Sequence, residues 1–210
     1  MKSLLSRTVV PVLLAASAQI LPAATGLAHA QAADTQNVRG KIASVKGSTL
    51  MVTTREGKTV EVALLEGVRI AGLARAAIGD IKPGDFVGIA SLPRTEGGDG
   101  ALEVLIFPPA MKGTGEGSYG WDLKPNSSMT NATVANAVKG VDGHSVTVSY
   151  HGKEKKIAIP DGTPVVTLAP ASSKNLVAGA SVFVPATKDG KGGLRAQQVV
   201  VGTNGIVPPM

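Results

Sequence analysis

VRGKIASVKGSTLMVTTREGKTVEVALLEG, residues 38–67, and VANAVKGVDGHSVTVSYHGKEKKIAIPDG, residues 134–162, read as two versions of one pattern. With the first strands aligned, Val38 meets Val134, Val45 meets Val141, Gly47 meets Gly143 and Val52 meets Val148. After REGK and its shorter counterpart HGK the register changes once, and Gly57 meets Gly152, Gly67 meets Gly162, Gly84 meets Gly179 and Val87 meets Val182. A one-residue difference costs least in a hairpin turn, and shared turns together with shared alternation point to an internal repeat. Within each version β-branched residues alternate: Val60, Val62 and Leu64 face one way, Thr59 and Glu61 the other. That is the period of half-buried strands. Lys46-Gly47-Ser48 and Glu56-Gly57 supply the turns.

Outward from this core, the pattern predicts strands at 38–46, 49–55 and 58–64, then an excursion from Glu66 to Lys82 whose LARAAIGDI segment, Leu73–Ile81, suits about two turns of helix. DFVGIASL (85–92) and ALEVLIF (101–107) complete the first copy; SVFVPAT and LRAQQVVV complete the second. Three strands, a helix or long loop and two further strands match the strand count of an OB barrel, with a small sandwich or open meander as the alternative. The expected fold is therefore all-β: two tandem OB-like barrels of about five strands, residues 31–107 and 133–210, joined by an ordered Gly/Pro-rich connector, 108–132.

The motif in which Gly40, Ile42 and Val45 precede Lys82-Pro83-Gly84-Asp85, Val87, Ile89 and Asp99-Gly100-Ala101 resembles a family of exported bacterial domains of unknown function with an OB-like barrel. The second copy keeps Gly179, Val182 and Val184 but has Ala180 in place of the aspartate. The resemblance implies an exported barrel module and carries over no catalytic residue.

Lys2 and Arg7, an apolar stretch from Val9 toward Leu21 and the small-x-small triplet Ala28-His29-Ala30 read as a signal peptide, residues 1–30, removed before Gln31. The expected location is periplasmic or secreted, with no transmembrane segment once the leader is gone. The chain has no cysteine, which excludes disulfides, thiolate metal sites and cysteine nucleophiles. Without Lys2 and Arg7, nineteen basic side chains face fifteen acidic ones, a net charge of +4. That is too mild for a nucleic-acid footprint, and the isolated Phe86, Phe107, Phe183 and Tyr150 do not form a base-stacking platform.

Catalytic constellations fail on inventory. His144 and His151 stand at the two ends of one strand, roughly 24 Å apart at about 3.4 Å per residue, too far to share a metal ion. Gly115-Glu116-Gly117-Ser118-Tyr119-Gly120 satisfies G-x-G-x-x-G formally, but Pro125 argues against the helix a dinucleotide site needs. The acidic residues mostly flank glycine or proline, as turn residues do. Glu116 and Asp122 are the only pair of carboxylates beside aromatics.

The connector holds the one tryptophan. Trp121, Tyr119, Met111 and Met129 suit a plug that covers the junction between barrels, the indole N–H finding a carbonyl at the margin. Alternatively Tyr119, Trp121, Asp122, Asn126 and Asn131 form a surface for a glycan or a cell-envelope protein. A third reading has Met111 and Met129 ligating Cu(I) with Trp121 capping the ion. The sequons at Asn126 and Asn131 read as turn and strand-start chemistry. The expected function is a non-catalytic binding or structural module of the bacterial cell envelope, needing no cofactor. A periplasmic Cu(I) carrier and a weak glycan-acting enzyme are its rivals.

Overall fold

A computed structural model describes residues 35–140, 143–203 and 205–208, which belong to one compact unit. The leader assigned to residues 1–30 lies outside the described residues. The fold is all-β. Its strands are β1 (Thr35–Lys46), β2 (Thr49–Thr54), β3 (Thr59–Arg75), β4 (Phe86–Pro93), β5 (Asp99–Ile106), β6 (Gly117–Gly120), β7 (Ser128–Gly140), β8 (Gly143–Tyr150), β9 (Lys153–Ile159), β10 (Val165–Pro170), β11 (Ser181–Lys188) and β12 (Leu194–Val201). Three short 3-10 turns are the only helical elements among the described residues.

The pairings close two five-strand rings. In the first, β1, β2 and β3 form an antiparallel meander, β3 runs parallel to β12, and β12 and β11 return antiparallel to β1. In the second, β7, β8 and β9 form the meander, β9 pairs parallel with β5, and β5 and β4 return to β7. Closure leaves no unpaired sheet edge around a ring. Neither ring is contiguous in sequence. Each early meander is completed by the last two strands of the other half, so the expected separate barrels at 31–107 and 133–210 do not form.

The physical reason lies in β3. The excursion expected after residue 64 is mostly strand: β3, 17 residues in all, runs on to Arg75, and only Ile78–Asp80 forms a 3-10 turn where about two helical turns were expected. At about 3.3 Å per residue that strand is longer than one small ring can use. Its last residues, Ala71–Arg75, pair antiparallel with β10, Leu73 directly opposite Leu168, while β10 runs parallel to β5. Pairing across the molecule thus overrides the helix propensity of Leu73–Ile81. The chain is delivered beside the other half before β4 begins.

Corresponding hydrogen bonds recur in the two rings and correct the alignment of the first strands. Ile42 donates its N–H to Ala180 and accepts from Gly179, while Val134 donates to Asp85 and accepts from Gly84. Val134 therefore stands where Ile42 does, not where Val38 does. The four extra residues lengthen the β7–β8 hairpin, whose pairing runs on through Lys139↔His144 and Gly140↔Gly143, whereas β1–β2 ends at Lys46↔Thr49. The hairpin turn at 141–142 lies outside the described residues.

Each ring is filled by aliphatic side chains on alternate positions. Val38, Ile42, Leu50, Val52, Val62, Val184 and Val199 are among those filling the first; Val87, Ile89, Val104, Val134, Val148 and Ile157 are among those filling the second. A third cluster, Leu73, Leu105, Val166, Phe183 and Val200, lies outside both interiors and joins the rings, with Phe107, Trp121, Leu168 and Ile206 packed on it. The rings differ at one mouth. Val60 and Leu194 of the first correspond to Lys155 and Asp99 of the second, which form a half-buried ion pair of 2.5 Å beside Thr130 and Ser128.

Because both rings contain strands from both sides of the connector, cutting it should not release two domains. A protease site introduced at the exposed Gly113–Gly115 turn is expected to give two fragments that co-elute at the size of the intact protein in size-exclusion chromatography and separate only in denaturant. Fragments that part under native conditions would contradict the exchanged pairing.

Candidate functional site: the connector and the ring junction

The connector is ordered by a strand of its own. After the 3-10 turn Pro109–Met111 and a glycine-rich loop, β6 pairs antiparallel with the start of β7, Gly117 opposite Asn131 and Tyr119 opposite Met129. Residues 128–132 thus belong to a ring strand rather than to the connector. The formal G-x-G-x-x-G therefore runs into a strand, with no helix behind it to receive a pyrophosphate. Beyond β6 the loop closes through Ser127, whose N–H bonds Lys124 O and whose hydroxyl lies 2.8 Å from the carbonyl oxygens of Trp121 and Lys124. Asn126 takes a left-handed backbone, φ 62°, consistent with its reading as a turn residue.

Trp121 packs on the cluster between the rings. The Arg39 guanidinium lies 5.3 Å from the indole centroid and 5.0 Å from that of Phe183, and the two rings stand 6.1 Å apart. Tyr119 approaches Trp121 edge-on at 6.4 Å. Arg39 is only 8 % exposed, and its Nη2 donates to Asp122 Oδ1 at 2.7 Å, where Asn37 Nδ2 also donates at 3.0 Å. A buried guanidinium needs a carboxylate partner, and aromatic faces suit its planar charge. Partial burial alone would raise the Asp122 carboxyl, but the hydrogen bonds from Arg39 and Asn37 hold it below its ordinary value. Contrary to the expected carbonyl contact, the indole Nε1 is buried without a hydrogen-bond partner.

The remaining site residues serve different ends. Asn131, 8 % exposed, donates through Nδ2 to Tyr119 Oη at 3.0 Å and to Gly115 O at 3.2 Å, so its amide fastens the loop to the ring. Gly88 makes room for it: a Cβ there would lie 2.8 Å from Asn131 Oδ1 and 3.1 Å from the Phe107 ring. Tyr119 keeps 42 % of its surface exposed while its hydroxyl is held by Asn131. Glu116 Oε1 accepts the N–H of His151 at 3.0 Å, pinning the other end of the connector to the β8–β9 turn. Glu116 and Asp122 thus each hold a different part of the fold. Met129 is buried in β7, and Met111 is half-buried at the end of its 3-10 turn. The cation seated against the Trp121 ring is Arg39.

Sequence reading missed Arg39, Asn37 and Glu103. In ALEVLIF, Glu103 occupies the position that alternation assigns to solvent, opposite in phase to Val104. The face it shares with Leu105 is covered instead, leaving Glu103 3 % exposed with Oε1 unpartnered. Burial pushes its carboxyl up to about 8, against the opposing pull of Arg39 and Arg55. No protein family, curated protein or solved structure matches the chain.

Two outcomes follow from this geometry. Trp121→Ala removes the aromatic wall over Arg39 and is expected to lower stability by about 2–4 kcal/mol in urea denaturation. Glu103 retains in the folded protein a proton that the unfolded chain releases above about pH 4.5. Its effect on stability is most favourable below that pH, declines as pH rises, and levels off above about pH 8. Glu103→Gln should flatten this decline and raise stability at pH 8.5 by an amount on the order of a few kcal/mol. Parallel melting-temperature profiles for the two proteins from pH 5 to 8.5 would contradict it.

Proposed function

We propose that the protein is an exported, non-catalytic binding or structural module of the bacterial cell envelope, with the connector as its contact surface. The observation that carries this reading is the division of labour along the connector. Asp122, Glu116 and Asn131 are bound to partners within the fold, and Trp121 packs on the ring junction, while the neighbouring Tyr119 ring remains open to solvent. Tyrosine beside fixed polar groups is a low-entropy anchor for a glycan ring or a partner protein. The signal-peptide pattern at 1–30 supports export to the periplasm or beyond.

The order of strands in each ring, with the third strand of the meander parallel to the second of the closing pair, supports the OB-like reading. The matching hydrogen bonds at Gly84 and Gly179 support an origin by internal duplication, and with it the resemblance to exported domains of unknown function. No specific geometry favours the rival readings. A glycan-acting enzyme needs a carboxylic acid able to donate a proton beside a second carboxylate. Asp122 is held ionised by two donors, and Glu103 is enclosed.

Co-sedimentation of the purified protein with peptidoglycan sacculi and photo-crosslinking from position 119 in intact cells test this proposal. The expected result is capture of a glycan or an envelope protein, reduced severalfold by Tyr119→Ala in a protein that still melts cooperatively. Glycan turnover lost in Glu116→Gln or Asp122→Asn would overturn it. So would one equivalent of bound Cu(I) lost in Met111→Ala and Met129→Ala.

A further inference from the structure

The two halves dock the same turn against the two rings, but only the first surrounds it with charge. Gly84 and Gly179 donate equivalent hydrogen bonds, to the carbonyl oxygens of Val134 and Ile42. In the 3-10 turns before them, Asp80 accepts the N–H of Ala77, and Asn175 accepts that of Ser172. At the offset that aligns the two glycines, Arg75 at the end of β3 corresponds to Pro170 at the end of β10. Lys82 corresponds to Val177, Asp85 to Ala180 and Lys112 to Val207. One backbone arrangement thus forms with either set, and the charges around Gly84 are not a requirement of the fold.

These side chains line a cleft of about 570 Å3 beside Gly84, a volume within the range of small-molecule sites. Arg75, Lys82 and Lys112 supply three cations, Asp80 and Asp85 two carboxylates, and none of the five forms an ion pair among the described residues. Each carboxylate uses one oxygen locally: Asp80 Oδ2 accepts the N–H of Ala77, and Asp85 Oδ2 that of Lys82. The lysines reach only neutral groups. Lys82 Nζ donates to Gly79 O, and Lys112 Nζ donates to Gly84 O at 3.1 Å, which leaves both ammonium charges uncompensated. Half-buried Ile106, Phe107 and Pro108 form an apolar wall beside them, with exposed Pro109 at its rim.

We propose that this cleft binds a sugar phosphate: the phosphate against Arg75, Lys82 and Lys112, the C–H face of the sugar against Phe107 and Pro108, and sugar hydroxyls donating to the Oδ1 atoms of Asp80 and Asp85. Three cations suit the near-double charge and three oxygens of a phosphate monoester. The two carboxylates disfavour a bare anion and favour one that brings hydrogen-bond donors with it. Tyr119 does not line the cleft, so this site is separate from the contact surface proposed above.

Calorimetric titration of the purified protein with glucose 1-phosphate tests the proposal. One saturable equivalent is expected, weakening as salt rises, and at least about tenfold tighter than inorganic phosphate or the singly charged glucuronate. The diagnostic variants take residues that the second half already carries on the same backbone. Lys82→Val combined with Lys112→Val should weaken glucose 1-phosphate by about tenfold or more in a protein that still melts cooperatively. Asp85→Ala should narrow the preference for glucose 1-phosphate over inorganic phosphate severalfold. Tyr119→Ala should leave both affinities unchanged, so a failure at this cleft and a failure of the connector surface are told apart. Equal binding of glucose 1-phosphate and inorganic phosphate would mean an adventitious ion only and would overturn the proposal. Glucuronate binding as tightly, an absence of saturation, or an affinity unmoved by the double lysine substitution would each overturn it too.

Discussion

The parallel pairing of β3 with β12, matched by that of β9 with β5, is the constraint on which the architecture rests. Parallel neighbours cannot be joined by a tight hairpin. Each ring must therefore receive its closing strand from a distant part of the chain. Here the distance is bridged by exchange, because β3 runs on to pair with β10 and carries the chain across to the other meander. The aliphatic interiors are ordinary by comparison: alternating valines and isoleucines fill any ring of this size, but they do not decide which strands close it.

Exchange produces a junction that must be both apolar and polar. Leu73, Leu105, Val166, Phe183 and Val200 join the outer faces of the rings, and the connector is laid over them. Arg39 is the member that ties these layers together. Its side chain contacts Phe183 of the first ring, Trp121 of the connector and the Asp122 carboxylate. A buried guanidinium stripped of one of these neighbours would be left incompletely compensated, so the contacts depend on one another. At Glu103, the acid beside this junction, the pull of Arg39 and Arg55 does not offset burial, and the carboxyl is pushed up to about 8.

The all-β character and most strand limits were legible because they depend on local signals, alternation and glycine turns. Pairing partners were not. Nothing in VEVALLEGVRIAGLAR distinguishes a strand that stops at the edge of its ring from one that runs into a neighbour, and the leucines and alanines around residue 73 suggest a helix in isolation. The four-residue difference in β7 was hidden for a similar reason. Glycines 47 and 143 align attractively, but only hydrogen bonds reveal that Val134 stands in for Ile42. At the site, Trp121 drew attention through rarity, and Tyr119, Asp122 and Asn131 were gathered with it by proximity in sequence. Arg39 and Asn37 come from a strand more than eighty residues away, and no periodicity could assign them to that tryptophan.

The exchange of closing strands also sets the order in which the molecule can be made. A growing chain presents β1, β2 and β3 well before β11 and β12 exist, so the first ring stays open until β12 has appeared. The second ring has β4 and β5 waiting for a meander not yet synthesised. Both rings therefore finish late, and through that interval their valine-rich strands carry unsatisfied edges able to pair with any extended chain nearby. The exchange that closes both rings is thus also what leaves their sheets open longest to mispairing.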